Sequence, residues 1–139
     1  MVRKSAAVLV PLTLLAACQE APKKPVGLPL SVTYEWSEAD RCATASPRID
    51  VSGVPTITKT LTFKVRNLDV PRGDRGGGDV EYKRDGRIPA GAFSYRGPCP
   101  AGGEIHLYEV SVRAYDASGR LLAQGEARRT FPPEPVRGL

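Results

Sequence analysis

In the segment IHLYEVSVRAY (residues 105–115), apolar and polar side chains alternate from residue 108 to residue 114 with the period of a β-strand. One face of this strand carries His106, Tyr108, Val110, Val112 and Ala114. The two valines indicate that this face lies against the core. His106 is the only histidine of the chain, and it lies with Tyr108 at the open end of the face. We therefore predict a long core strand that begins with two polar side chains.

A second segment, residues 57–65, alternates in the same way, and polar residues follow it. Its predicted core face carries Ile57, Leu61, Phe63 and Val65. The same parity continues to Asn67 and Asp69, and Pro71 ends the pairing. Unpaired polar groups on a core face cost about 1–3 kcal/mol each, so we expect these groups to pair or to bind a ligand. An alternative remains open, in which Asn67 and Asp69 cap loop backbone and His106 is a hydrogen-bonded histidine at the rim.

The rest of the mature chain shows short strands and turns, and no segment has a convincing helical pattern. Further strands are predicted at residues 30–36, 49–51, 80–82, 121–123 and 127–131, and a passage of turn and strand at residues 88–93. Residues 72–78 are glycine-rich and are expected to form a loop, and residues 116–119 a hairpin turn. These patterns together predict an all-β domain.

The first eighteen residues predict the cellular location. Arg3 and Lys4 precede a short, mostly apolar run, which ends in Leu15-Ala16-Ala17-Cys18 and resembles the lipobox of bacterial lipoproteins. Lipidation of Cys18, with acyl chains such as palmitate, would anchor the protein to the membrane. Gln19 follows the cysteine, which favours the outer membrane of the bacterial cell envelope, facing the periplasm. The alternative is an ordinary secretory signal peptide.

The chain is accordingly divided into four parts: a signal peptide at 1–17, a lipidated tether at 18–29, a β-domain at 30–132 and a loose tail at 133–139. The mature chain has 122 residues and a formal charge of +3, without a block of basic residues, so nucleic acid is not an expected partner. Two cysteines remain, Cys42 and Cys99, and one disulfide is expected in an oxidising compartment. A metal site is the alternative, but the chain lacks further ligands for it. No cofactor is expected.

Five short motifs occur in order between Cys42 and Phe131. They are Ser46-Pro47-x-Ile49-x-Val51-x-Gly53-Val54-Pro55, Thr58-Lys59-Thr60-Leu61, Asn67-Leu68-Asp69-Val70-Pro71, Gly97-Pro98-Cys99-Pro100 and His106-Leu107-Tyr108. In this order they resemble S-P-x-L-x-W-x-G-V-P, T-K-S-L, D-P-D-x-P, G-P-x-P-P and H-R-Y of the phosphatidylethanolamine-binding proteins, which include Raf-kinase-inhibitor-like bacterial members. The resemblance implies a β-sandwich with Greek-key connections and a small pocket at one end for phosphate-type or other anionic head groups.

The resemblance also implies which residues line the pocket. They are Asn67 and Asp69 at the two family aspartates, Gly97 and Pro98 as a rigid wall, His106 and Tyr108, and Arg75 in place of a second family histidine. Asn67 replaces a carboxylate, so the pocket carries less negative charge and should bind an anion more favourably. Leu107 stands where the family has arginine.

Catalysis is not predicted. A nucleophilic serine would have to lie near His106, but Ser111 faces away from it by strand parity and no elbow motif frames Ser94. The sequence predicts a non-catalytic lipoprotein that binds an anionic small molecule or a phospholipid head group. Two alternatives remain: a protein-interaction module that inhibits or modulates an envelope enzyme or protease, and a structural lipoprotein whose pocket is filled by its own side chains.

Overall fold

A computed structural model describes residues 27–135 as two β-sheets. The strands are β1 (Leu28–Pro29), β2 (Ser31–Tyr34), β3 (Ile49–Ser52), β4 (Thr60–Asn67), β5 (Asp74–Glu81), β6 (Arg87–Ile88), β7 (His106–Tyr115) and β8 (Leu121–Phe131). The larger sheet has the order β1-β8-β7-β4-β5, and the smaller one has the order β2-β3-β6. A short 3-10 helix, Glu38–Asp40, follows β2. The predicted all-β class is confirmed.

The two sheets pack face to face over one core. Buried side chains of β4 and β7 alternate with polar ones, as the sequence predicts, and the β4–β7 register pairs Leu61 with Ala114 and Val65 with Val110. Tyr34 and Ile49 from the smaller sheet complete the same buried cluster. Each large apolar side chain buried in this way contributes about 1.5–3 kcal/mol. The core therefore fixes both the sandwich and the register of its two central strands.

Four segments differ from the sequence prediction. In the passage predicted at residues 88–93, the strand β6 ends at Ile88 and residues 89–93 form no strand. The glycine-rich residues 72–78 do not form a loop throughout, because Asp74–Glu81 is the edge strand β5, antiparallel to β4. Ile57 does not extend the core face of β4: it lies before the strand and is 55% exposed. The two strands predicted at 121–123 and 127–131 are one continuous strand, β8.

The structure also shows how the chain enters the domain. Leu28 and Pro29, which fall in the predicted tether, pair in parallel with Ala123 and Gln124 of β8. The predicted signal peptide and lipidation site at Cys18 lie outside the described residues, as does residue 136 onward. Within residues 27–135 the structure contains no helix that could span a membrane.

The predicted disulfide is present. Cys42 and Cys99 are bonded, with their Cα atoms 4.6 Å apart, at a sequence separation of 57. The bond joins the turn after the 3-10 helix to the loop that carries Gly97 and Pro98. This loop therefore has both a covalent and a hydrogen-bonded attachment to the rest of the domain.

Candidate functional site

The polar ends of β4 and β7 meet. The register of the two strands pairs Asn67 with Tyr108, so the side chains of both residues project from the same end of the core face. The Nδ2 group of Asn67 donates to the hydroxyl of Tyr108 at 3.2 Å and lies 2.9 Å from Nδ1 of His106. The structure therefore brings Asn67, His106 and Tyr108 into one hydrogen-bonded cluster, which we call the polar cluster.

The orientation of the Asn67 amide is determined by its neighbours. Its Oδ1 accepts the backbone N–H of Asp69 at 3.0 Å, so its Nδ2 is the donor toward His106. Nδ1 of His106 must then be the acceptor, and a neutral ring carries its proton on Nε2. The Nε2–H edge of the imidazole is therefore the edge left to contact an acceptor.

Asn67→Asp is expected to reverse the tautomer of His106. A carboxylate has no proton to donate to Nδ1, so the ring would place a proton there instead. We expect the ring ¹⁵N shifts of the wild type to identify a protonated Nε2 and an unprotonated Nδ1, and those of the variant to show a protonated Nδ1. Because the chain has one histidine, the signals are unambiguous in an untagged protein.

Gln124→Glu is the matched control for this change. It adds the same charge on β8, near the opposite end of the domain. An Nδ1-protonated ring in the wild type, or an unchanged tautomer in Asn67→Asp, would contradict the assignment.

Asp69 does not join the polar cluster through its carboxylate. Its Oδ2 accepts the backbone N–H of Leu107 at 2.6 Å, and the Leu68 N–H donates to the Leu107 carbonyl at 2.8 Å. Asp69 is exposed and connects the loop after β4 to the start of β7. These contacts are those of a residue that caps loop backbone, which was the alternative left open by the sequence. A role of Asp69 in ligand binding stays a prediction.

Gly97 and Pro98 form a buried wall beside the polar cluster. The Gly97 N–H donates to the carbonyl of Ala43 at 2.7 Å, and the Pro98 carbonyl accepts the N–H of Cys42 at 2.8 Å. A Cβ atom at Gly97 would lie 2.6 Å from the Ala43 oxygen, so only glycine fits there. Arg75 reaches this wall as well, since its guanidinium donates to the Gly97 carbonyl.

The hydroxyl of Tyr108 is held in its protonated form. Burial raises the pKa of Tyr108, and the positive charge of Arg75 and the backbone N–H of Cys99 oppose that shift without cancelling it. The bond from Asn67 uses a lone pair of the oxygen, so the hydroxyl proton remains available for donation. Tyr108 therefore offers a neutral donor at neutral pH.

The polar cluster is almost closed to solvent. Tyr108 is 1% exposed and Asn67 is 5% exposed, whereas the side chain of His106 keeps 18% of its surface accessible. The outward edge of His106 contacts Glu104, with Nε2 and Oε2 separated by 3.2 Å. Glu104 is not among the site residues predicted from the sequence, because it lies in the turn before β7, where strand parity does not apply.

A wider groove of about 670 Å³ lies elsewhere, on the outer face of the larger sheet. Its lining includes Lys64, Arg66, Glu109, Ser111 and Glu126. The carboxylate of Glu109 is buried and accepts from Nε of Arg128 at 2.9 Å. Glu109 also lies 4.0 Å from Nη1 of Arg66, so the acids and bases around this groove largely neutralise one another.

Within the described part of the chain, no group of three or more histidine, cysteine or acidic side chains is placed to hold a metal ion. No protein-family profile matches the sequence, and no curated protein matches it.

Solved structures do match. A phosphatidylethanolamine-binding protein homolog from Chlamydia trachomatis is 18% identical, with a TM-score of 0.58, and the match covers 78% of this chain and 99% of that one. YbcL of Escherichia coli, described as a member of the mammalian family of these proteins, is 16% identical with a TM-score of 0.58, covering 73% and 97%. The chain therefore has the fold of the phosphatidylethanolamine-binding proteins, as the five motifs predict.

Proposed function

We propose that this protein, which has the fold of the phosphatidylethanolamine-binding proteins, is a non-catalytic binding module anchored in the cell envelope. It binds an anionic oxygen group at the open edge of the polar cluster. One observation carries the proposal: the outward Nε2 edge of His106 already lies 3.2 Å from the carboxylate oxygen of Glu104. The site thus accommodates an anionic oxygen in the position where a ligand would bind. The Tyr108 hydroxyl and the guanidinium of Arg75 supply a donor and a positive charge behind it.

Two contacts support binding without catalysis. Nδ1 of His106 faces the amide of Asn67, so no carboxylate stabilises a protonated ring from that side, and the carboxylate of Asp69 is occupied by the backbone of Leu107. A histidine that acts as a general base is ordinarily oriented by an acceptor at this nitrogen. The arrangement favours recognition of an anion over its chemical conversion.

The location of the site within the domain favours a ligand from the aqueous phase. The chain enters through β1, which pairs with β8 at Ala123, opposite Ala114 of β7. His106 lies eight residues away along β7, or about 26 Å at 3.3 Å per residue. If Cys18 is lipidated as the lipobox motif suggests, the site is at the end of the domain that is farther from the anchor.

Inorganic phosphate is the simplest probe of the proposed function. We expect phosphate to shift the ring signals of His106 and the amide signals of residues 97–108 in the purified full chain. His106→Ala should weaken binding at least about tenfold, because it removes the outward donor. The fold should survive, since Asn67 keeps its bond to Tyr108. Ser118→Ala, at the opposite end of β7, is the control and should bind like the wild type.

An absence of saturable shifts in the wild type would contradict the proposal. It would favour the structural lipoprotein whose polar cluster is satisfied by its own side chains.

A protein-interaction module is the second candidate, and the exposed apolar residues near the site favour it. Ile105, directly before His106, is 63% exposed, and Val70, directly after Asp69, is also exposed. Exposed apolar side chains beside a polar site are typical of surfaces that contact another protein. A partner enzyme or protease of the envelope that still binds His106→Ala but not Ile105→Ser would support this reading over anion binding.

A further inference from the structure

Glu104 occupies the one edge of the polar cluster that reaches solvent. Its Oε2 lies 3.2 Å from Nε2 of His106, and 54% of its side chain is exposed, against 18% for His106. The other ring nitrogen of His106 is taken by Asn67. A ligand that binds Nε2–H must therefore displace the carboxylate of Glu104.

The segment that carries Glu104 is an exposed turn, from which the carboxylate can swing toward solvent. Residues 101–105 are all exposed, and the turn is closed by a bond from the Glu104 N–H to the Ala101 carbonyl at 3.0 Å. Gly102 and Gly103 have open space around the positions where a Cβ would lie, and Gly103 has φ +85°. The turn is therefore open to solvent on the side of both glycines, and we expect displacement of Glu104 to cost little beyond its contact with His106.

We propose that Glu104 is a built-in competitor that sets the affinity an anion must exceed to occupy the site. This inference rests on the proposed function and names the ligand class. A carboxylate tethered two residues from His106 has a high local concentration, so it raises the binding threshold for every external anion by the same factor. An anion that offers a single weak acceptor oxygen binds too weakly to displace Glu104. A phosphate monoester does displace Glu104, because it carries two charges and three acceptor oxygens.

A free phosphate and a phospholipid head group differ in how easily they can displace Glu104. The phosphate of a phospholipid is a diester with a single charge, whereas inorganic phosphate and phosphate monoesters are dianions above their second ionisation. The dianion binds the donors of the site more tightly than the monoanion does, and the competition from Glu104 lowers both affinities, so only the soluble phosphate monoester stays in the measurable range. The position of the site, far from where the chain enters the domain, agrees with this choice.

The test titrates the full chain with inorganic phosphate and, separately, with glycerophosphoethanolamine, the soluble diester head group. In the wild type we expect phosphate to bind and the diester to bind too weakly to measure. Glu104→Gln keeps the side-chain size but removes the charge. If the Glu104–His106 contact is formed about nine-tenths of the time, only about one-tenth of the molecules can bind a ligand. The variant should therefore raise phosphate affinity about tenfold, and it should make diester binding measurable.

Glu81→Gln is the matched control. It removes an exposed charge from β5, at the end of the sheet opposite the polar cluster, and should leave both affinities unchanged. Equal phosphate affinity in the wild type and in Glu104→Gln would overturn the role of Glu104 while leaving the proposed function intact. If neither protein binds phosphate, the proposed function and this inference both fail. Diester binding as tight as phosphate binding in the wild type would overturn the ligand class.

Discussion

Loss of the Cys42–Cys99 disulfide is expected to lower the free energy of unfolding by about 4 kcal/mol. The bond closes a loop across a sequence separation of 57 residues, and the chain-entropy relation gives about 4 kcal/mol for a loop of this length. For a domain of this size the corresponding fall in melting temperature is roughly 15 °C or more. The measurement is denaturant unfolding of the Cys42→Ser, Cys99→Ser double variant, followed through the fluorescence of Trp36, the only tryptophan.

The same change should also weaken phosphate binding, because the disulfide anchors the wall of the site. Cys99 follows Pro98 directly, and its N–H faces the hydroxyl of Tyr108. The Cys42 N–H holds the Pro98 carbonyl at 2.8 Å, and Cys42 itself has φ +52°, a conformation that side-chain-bearing residues rarely adopt. Without the covalent bond, only the hydrogen bonds of Cys42 and Ala43 to the wall oppose relaxation of residue 42, so the wall loses order.

A reducing agent provides the control for the disulfide prediction. Both cysteines are exposed, so a dithiol should reduce the bond in the folded wild type and reproduce the loss of stability. The double variant should not respond to the same treatment. A decrease of less than about 1 kcal/mol in the double variant would contradict the chain-entropy estimate for this loop.

The convergence of the polar cluster could be predicted from sequence because it depends on strand parity. Asn67 and His106 each continue the core face of an alternating strand, and two adjacent antiparallel core strands can place such ends together. The pairing of Asn67 with Tyr108 in the register agrees with this argument. The closed state of the cluster could not be predicted in the same way, because it depends on how Gly97 and Pro98 pack against residues distant in sequence.

The positions that the sequence analysis misassigned are those where tertiary contacts override local preference. Ile57 fits the apolar alternation of β4, but the Thr58 N–H closes a turn onto the Pro55 carbonyl, and the strand begins only at Thr60. Glu104 was overlooked because it lies in a glycine-rich turn, where an acidic residue is ordinarily solvated. Its contact with His106 appears only when the path of the turn is known.

Gly77→Ala is expected to destabilise the protein by about 3 to 5 kcal/mol, because the glycine-rich segment is a strand whose backbone lies directly against β4. A Cβ at Gly77 would lie 2.0 Å from the carbonyl oxygen of Phe63, and its φ of +151° is strained for any L-residue. The oxygen belongs to the backbone of a central core strand, so it cannot move aside. The glycines are therefore required by close strand packing, whereas composition alone indicated a loop.

Gly102→Ala is the matched control for Gly77→Ala, since a Cβ at Gly102 would have no atom within 4 Å. Denaturant unfolding should show Gly102→Ala within about 0.5 kcal/mol of the wild type. Equal stabilities of the two variants would mean that residues 74–78 are not held against β4. Arg75 would then have no fixed position from which to reach the carbonyl of Gly97, and its contribution to an anion site would be lost together with the strand. The stability of one edge strand thus bears directly on the electrostatics of the polar cluster.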